Sequence, residues 1–130
     1  MLNPNAQAWV DALRSGEYTQ TKKMLCRVTQ ENAPSFCCLG VACDLYKNSV
    51  GGDWNLHQEA WNEQYSFTDD EGVLATSNLT PAVMAWLGLA NSEGAYRVGT
   101  LVTLNDHKDF TFAKIADVIE SEPKGLFNAE

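Results

Sequence analysis

What this chain lacks narrows it first. No stretch approaches the roughly 18–20 apolar residues of a membrane helix. The first residues show no basic segment leading into an apolar one, so neither a span nor a secretory leader is expected and the chain is read as cytoplasmic. Basic residues are scarce, with nine Lys and Arg against seventeen Asp and Glu and a formal charge of −8. General nucleic-acid binding and attraction to an anionic membrane both need the opposite balance. Internal repeats, low-complexity tracts and linkers are absent. A length of 130 residues, 45% of them hydrophobic, suffices for one core, and a single globular domain over residues 1–130 is expected.

Cysteine is present but not where staples or metals need it. Nothing signals secretion, so the four thiols are expected to be reduced. Cys26, the Cys37-Cys38 pair and Cys43 also lack the paired two-residue spacing of zinc knuckles. On a helix Cys38 and Cys43 would lie about 140° apart and could not face one ion. No metal and no cofactor are expected. The acidic run Asp69-Asp70-Glu71-Gly72 lacks the alternating ligands and distal glutamate of a calcium loop and reads as a solvated turn.

The pattern that is present centres on Ser35-Phe36-Cys37-Cys38-Leu39-Gly40-Val41-Ala42-Cys43-Asp44-Leu45-Tyr46. Ser35 is placed to cap a helix whose Cys38, Val41, Ala42, Leu45 and Tyr46 make one apolar face, ending before Gly51-Gly52. Before it, Asn3 and Pro4 start a helix with Ala6, Trp9, Val10 and Leu13 inward and Gly16 as its stop. Met24, Cys26 and Val28 then alternate as a strand, and residues 29–34 carry turn chemistry. Between Asp53 and Gln64 the signals conflict. Trp54 and Leu56 alternate like a strand, whereas Ala60, Trp61 and Tyr65 fit a helical turn. Tyr65 and Phe67, the acidic turn, and Val73 to Ala75 predict a hairpin.

Thr80-Pro81 starts a third helix, with Leu79 able to staple onto Met84, Val83, Trp86 and Leu87 inward, and Gly88 as its stop. Tyr96 to Leu104 suits a strand or a helical turn, and Asn105-Asp106 reads as a bend. Thr111 caps a last helix whose Phe112, Ile115, Ala116 and Ile119 face inward. The Asn78-Leu79-Thr80 sequon has no meaning in a cytoplasmic chain. The expected architecture is α+β, about four helices on a small, mainly antiparallel sheet.

Three functional readings remain open. Cys37 or Cys38 at a helix start, with His107 or His57 as base and Asp106 or Asn105 to orient it, outlines a cysteine-dependent hydrolase or transferase. No local protease signature accompanies that outline, and buried structural thiols are the favoured reading. Lys22, Lys23 and Arg27 concentrate three of the nine basic residues in an acidic chain. If they approach the first turn of the Ser35 helix, they could hold a phosphate or carboxylate, with Gln20 and Asn105 bonding a base or ribose. The plain alternative is a strand edge protected by lysine. A minor virion structural protein is the third reading.

The sequence Cys37-Cys38-Leu39-Gly40-Val41, the later Leu104-Asn105-Asp106, and Phe112 to Glu120 together resemble small proteins of tailed phages and prophages. Trp9 to Tyr18, Gln20, and Trp86-Leu87-Gly88-Leu89 fit the same likeness. A weaker resemblance is to an actinobacterial family with a similar Cys-Leu-Gly helix and a later Asn-Asp bend. Such families often carry a glycine and more arginine where this chain has Thr21, Lys22, Lys23 and Met24. The resemblance implies a non-enzymatic accessory protein, binding a host protein or a small anionic, nucleotide-like ligand, with interference in host defence as its role.

Overall fold

The structure is a computed structural model that describes residues 2–28, 34–59, 62–107 and 110–128. Helix α1 (Pro4–Arg14) begins as its cap chemistry dictates: Asn3 accepts from the Ala6 N–H at 2.8 Å and Pro4 takes the first turn. Its Ala6, Trp9, Val10 and Leu13 are buried, and it packs on the last helix and on the cysteine helix. The capping amides also look outward. Asn3 Nδ2 and Asn5 Nδ2 donate to the Leu87 and Trp86 carbonyls, closing the C-terminal end of another helix whose last carbonyls lack partners of their own.

The sheet is antiparallel. Strands β1 (Cys26–Val28), β2 (Pro34–Phe36), β3 (Gly52–Glu59) and β4 (Asn62–Asp69) lie in the order β2-β1-β4-β3, and β5 (Leu74–Ala75) joins the same edge of β4 beyond β1. The conflict over residues 53–64 is resolved as extended structure: β3 and β4 pair from Gly52↔Asp69 to Glu59↔Asn62. Ala60, Trp61 and the expected turn at 29–33 lie outside the described residues. Pro34, placed in that turn from sequence, belongs to β2. The hairpin into β5 forms as expected. Asp69 Oδ1 accepts from the Glu71 and Val73 N–H groups, both at 2.9 Å, and so fixes the acidic turn.

Helix α2 (Cys38–Ser49) starts later than expected. Ser35 does not cap it. Its backbone is spent in the β1–β2 ladder opposite Arg27, and its hydroxyl donates to the Arg27 carbonyl at 3.2 Å. Cys37 takes the cap, its sulfur accepting from the Gly40 N–H at 3.3 Å. The first half of α2 is buried all round, which is why no single apolar stripe describes it. Leu45, expected inward, is only half-buried. Gly40 is required: a Cβ there would sit 1.8 Å from the Leu25 carbonyl oxygen, so the helix can lie against the preceding stretch only without a side chain.

Helix α3 (Pro81–Leu87) has Thr80 as its cap and ends at left-handed Gly88. A short ribbon of β6 (Ala95–Tyr96) and β7 (Gly99–Thr100) follows. The expected bend at Asn105-Asp106 is instead the last turn of a six-residue helix, α4 (Leu101–Asp106), capped by Thr100. Helix α5 (Phe112–Glu120) has Thr111 as its cap and buries Phe112, Ile115, Ala116 and Ile119. The result is a single small α+β domain with five helices among the described residues. None of these helices is long and apolar enough to cross a membrane.

Candidate functional site

The stretch from Glu17 to Leu25 was expected to enter a strand early, yet apart from an isolated bridge between Gln20 and Phe36 the ladder begins only at Cys26. Lys22 and Lys23 therefore lie in irregular backbone that runs past the start of α2. Thr21 N–H donates to the Phe36 carbonyl and the Cys37 N–H to the Leu25 carbonyl, holding that stretch against the helix entry. Lys23 has φ +70°, a left-handed conformation that favours glycine. Its backbone N–H is held by Asp106 Oδ1 at 2.8 Å.

Asn105 ties the parts together from α4. It is 1% exposed, and its Oδ1 accepts from both Gln20 Nε2 (3.0 Å) and the Cys38 N–H (3.1 Å). Its Nδ2 donates to the Thr21 carbonyl at 2.8 Å. Gln20 Nε2 also reaches the Phe110 carbonyl. Asn105 and the Gln20 amide nitrogen brace the site, whereas the sequence suggested them as partners for a base or ribose.

Around this brace lies a cleft of about 210 Å³, lined by Lys23, the first turn of α2 (Cys37, Cys38, Leu39), Ser77 and Asn78 from the β5–α3 connection, and Val102, Asn105 and Asp106. Of the residues singled out from sequence, Lys23, Cys37, Cys38, Asn105 and Asp106 meet here. Gln20 touches it through Asn105. Lys22, Arg27 and Ser35 do not line it: Lys22 is exposed, Arg27 projects from β1, and Ser35 is buried in β2. His107 is exposed at the end of α4, and the His57 side chain lies outside the described residues. Ser77 and Asn78 were not foreseen. Asn78 was weighed only as a sequon, although a polar pair just before a Thr-Pro helix start is a sign of an exposed loop.

The thiols are poor nucleophiles where they stand. All four are free and buried. Burial pushes Cys37 up to about 11, with the nearby Asp106 carboxylate adding to the effect and the Gly40 and Leu39 N–H groups opposing it. Cys38 is raised well above its ordinary value, chiefly by burial, and its Sγ lies 3.7 Å from the Leu101 carbonyl oxygen. A reactive thiolate needs the reverse, a cationic and partly exposed surrounding. The helix start offers little to an added anion either, because Asn105 engages the Cys38 N–H and the Cys37 sulfur engages that of Gly40. The remaining charge chemistry is an ammonium at Lys23 and a carboxylate at Asp106, on one polar rim.

A family model described as a domain of unknown function, DUF8296, matches residues 2–123. No curated protein and no solved structure matches the chain.

Proposed function

The chain belongs to the DUF8296 family, and from the geometry of its cleft we propose that it is a non-enzymatic accessory protein that captures a small anionic, nucleotide-like ligand through Lys23, in the cleft beside the start of α2. The observation that carries this reading is the cleft itself, which sets Lys23 beside Asp106 and the polar Ser77 and Asn78. In the proposed pose the anionic group pairs with the Lys23 ammonium. Asp106 accepts from a ligand hydroxyl or amine, and Leu39 and Val102 form an apolar floor beneath the part of the ligand that enters, the remainder of the molecule staying outside a cleft of this size. Lys23 in a strained backbone conformation fits a residue kept for its side chain.

We place this capture in a phage-type role, antagonising host defence within the reducing cytoplasm of the host. The phage likeness of the sequence and the free, buried thiols support that setting. One charge-assisted bond with several neutral ones supports a Kd of the order of 100 μM. In a chain of charge −8 the attraction is short-ranged and weakens with salt.

Calorimetric titration with a nucleoside monophosphate tests the proposal. Saturable, salt-sensitive binding that Lys23→Ala abolishes and Lys22→Ala leaves intact is expected, because Lys22 stands outside the cleft. Absence of binding, or equal loss in both variants, overturns it.

A further inference from the structure

A second cup shares no lining residue with the cleft at Lys23, and its chemistry is different. Strand register builds it. Cys26 stands opposite both Phe36 on β2 and Tyr65 on β4, and Trp54 on β3 stands opposite Phe67, two residues along from Tyr65. Because successive residues of a strand alternate faces, these side chains share the face that α2 covers. Phe36 and Trp54 meet at 5.8 Å between centroids and 63° between planes, Trp54 and Tyr65 at 6.4 Å and 76°. Rings so steeply inclined do not stack into a slab. They stand as walls.

The cup they line with Cys26, Pro34 and Asp44 has a volume of about 190 Å³. Asp44 enters from α2, half-buried, and its two carboxylate oxygens are both held: Oδ1 accepts from Trp54 Nε1 at 3.0 Å and Oδ2 from Tyr18 Oη at 2.7 Å. Both donors are neutral. They fix the carboxylate's orientation and leave its charge in place. The field of that charge is felt around it. The Tyr18 hydroxyl is held well above its ordinary range by burial and by its bond to Asp44, and the Cys26 thiol is pushed up to about 12 by burial and then by Asp44.

We infer that this cup is a binding site for an alkylated ammonium group, with Phe36, Trp54 and Tyr65 as its walls and Asp44 as its counter-charge. Each alternative fits less well. A neutral apolar ligand would gain nothing from the half-buried carboxylate and would bury it further at a cost. A primary ammonium needs several hydrogen-bond acceptors, whereas the cup offers ring faces and a carboxylate already holding two donors. A hard metal ion needs several oxygen ligands. A methylated ammonium needs no acceptor, and it is drawn to the negative faces of aromatic rings and to a nearby carboxylate. The volume falls below the roughly 300–1,000 Å³ of pockets that enclose drug-sized ligands, so the cup takes a head group and leaves the remainder of the molecule outside. The chain's net charge of −8 favours the approach of a cation.

Two sources carry this chemistry, a free choline-like molecule and a methylated lysine on another protein. The test titrates the whole chain with choline, with choline's uncharged carbon isostere, and with a short peptide containing trimethyl-lysine. The Trp54 indole N–H resonance, identified by its loss in Trp54→Phe, reports on the cup. Choline or the peptide should bind at least about tenfold more tightly than the isostere. Asp44→Asn should reduce that preference severalfold, and Tyr65→Leu, which keeps an apolar wall at the half-exposed rim, should weaken cation binding about tenfold while the fold, followed by circular dichroism, persists. Choline preferred over peptide assigns a free small cation; peptide preferred assigns a protein-borne one. Equal binding of choline and its isostere overturns the inference. So does a Trp54 signal that no cation shifts, or cation binding that neither substitution changes.

Discussion

Replacing Lys23 by glycine separates the backbone role of this residue from that of its side chain. At φ +70° a Cβ crowds the backbone at a cost of about 1–2 kcal/mol, and glycine has no Cβ to crowd. Glycine also gives the unfolded chain more freedom, which offsets about 0.4–1 kcal/mol of that gain. The net expectation is a stabilisation of about 0.5–1 kcal/mol. Over 130 residues, an unfolding entropy of about 2.1 cal/mol/K per residue amounts to about 0.27 kcal/mol/K, so Tm should rise by about 2–4 °C. The bond from the residue-23 N–H to Asp106 is retained, because it comes from the backbone. Ligand capture should nevertheless disappear with the ammonium. Lys23→Ala is the control, since it removes the ammonium and keeps the crowded Cβ, and it should bind no better while gaining no stability. Scanning calorimetry and titration of the same samples give both readouts. A fall in Tm for Lys23→Gly would refute the strain argument, and undiminished binding would refute the role given to the side chain.

Gly40→Ala should cost at least about 3 kcal/mol, because its Cβ meets backbone at Leu25 that no rotamer change can move aside; urea unfolding measures it, and a loss under about 1 kcal/mol would mean the helix entry is looser than described. Ile119→Ala, at a fully buried position, should lose about 3 kcal/mol, whereas Leu45→Ala, half-buried, should lose about 1 kcal/mol; equal losses would contradict the packing of α2. The thiols set an alkaline limit. All four are raised by burial, Cys37 to about 11 and Cys26 to about 12, whereas an unfolded thiol ionises near about 8.5. Their contribution to stability is therefore complete below that unfolded value and is lost as pH climbs toward the folded ones. Unfolding free energy should fall steadily above about pH 9, and native alkylation at neutral pH should be slow at every cysteine; rapid modification of Cys37 would restore the nucleophile reading.

The parts of the fold that local chemistry decides were legible in the residues. Asn3-Pro4, Thr80-Pro81 and Thr111 each cap a helix because a side-chain oxygen within reach of the first-turn N–H groups settles the matter over a few residues. The Asp69 to Gly72 turn was legible for the same reason. The start of α2 was not, because whether Ser35 can cap depends on whether β1 claims its backbone first, and that is decided by pairing between strands. The six residues of α4 are too few for a period to register, so Asn105 and Asp106 read as a bend.

The candidate site was legible by type more than by place. The concentration of Lys22, Lys23 and Arg27 pointed to the stretch that runs past the start of α2, but alternation extended the strand too far back and put all three on one footing. Only the left-handed turn at Lys23 separates it from its neighbours. Ser77 and Asn78 reach the cleft through tertiary folding, which leaves no local mark. Asp44 was part of the cysteine helix from the outset, yet its aromatic setting depends on register across four strands.

If Lys23 holds a small anion in the cleft beside the start of α2, adding a nucleoside monophosphate to the labelled protein should move its backbone amide resonances. Saturable, salt-sensitive shifts are expected at Lys23, Leu39, Ser77, Asn78 and Asp106, and none of them in Lys23→Ala. Shifts absent from these residues, or unchanged in the variant, would contradict it.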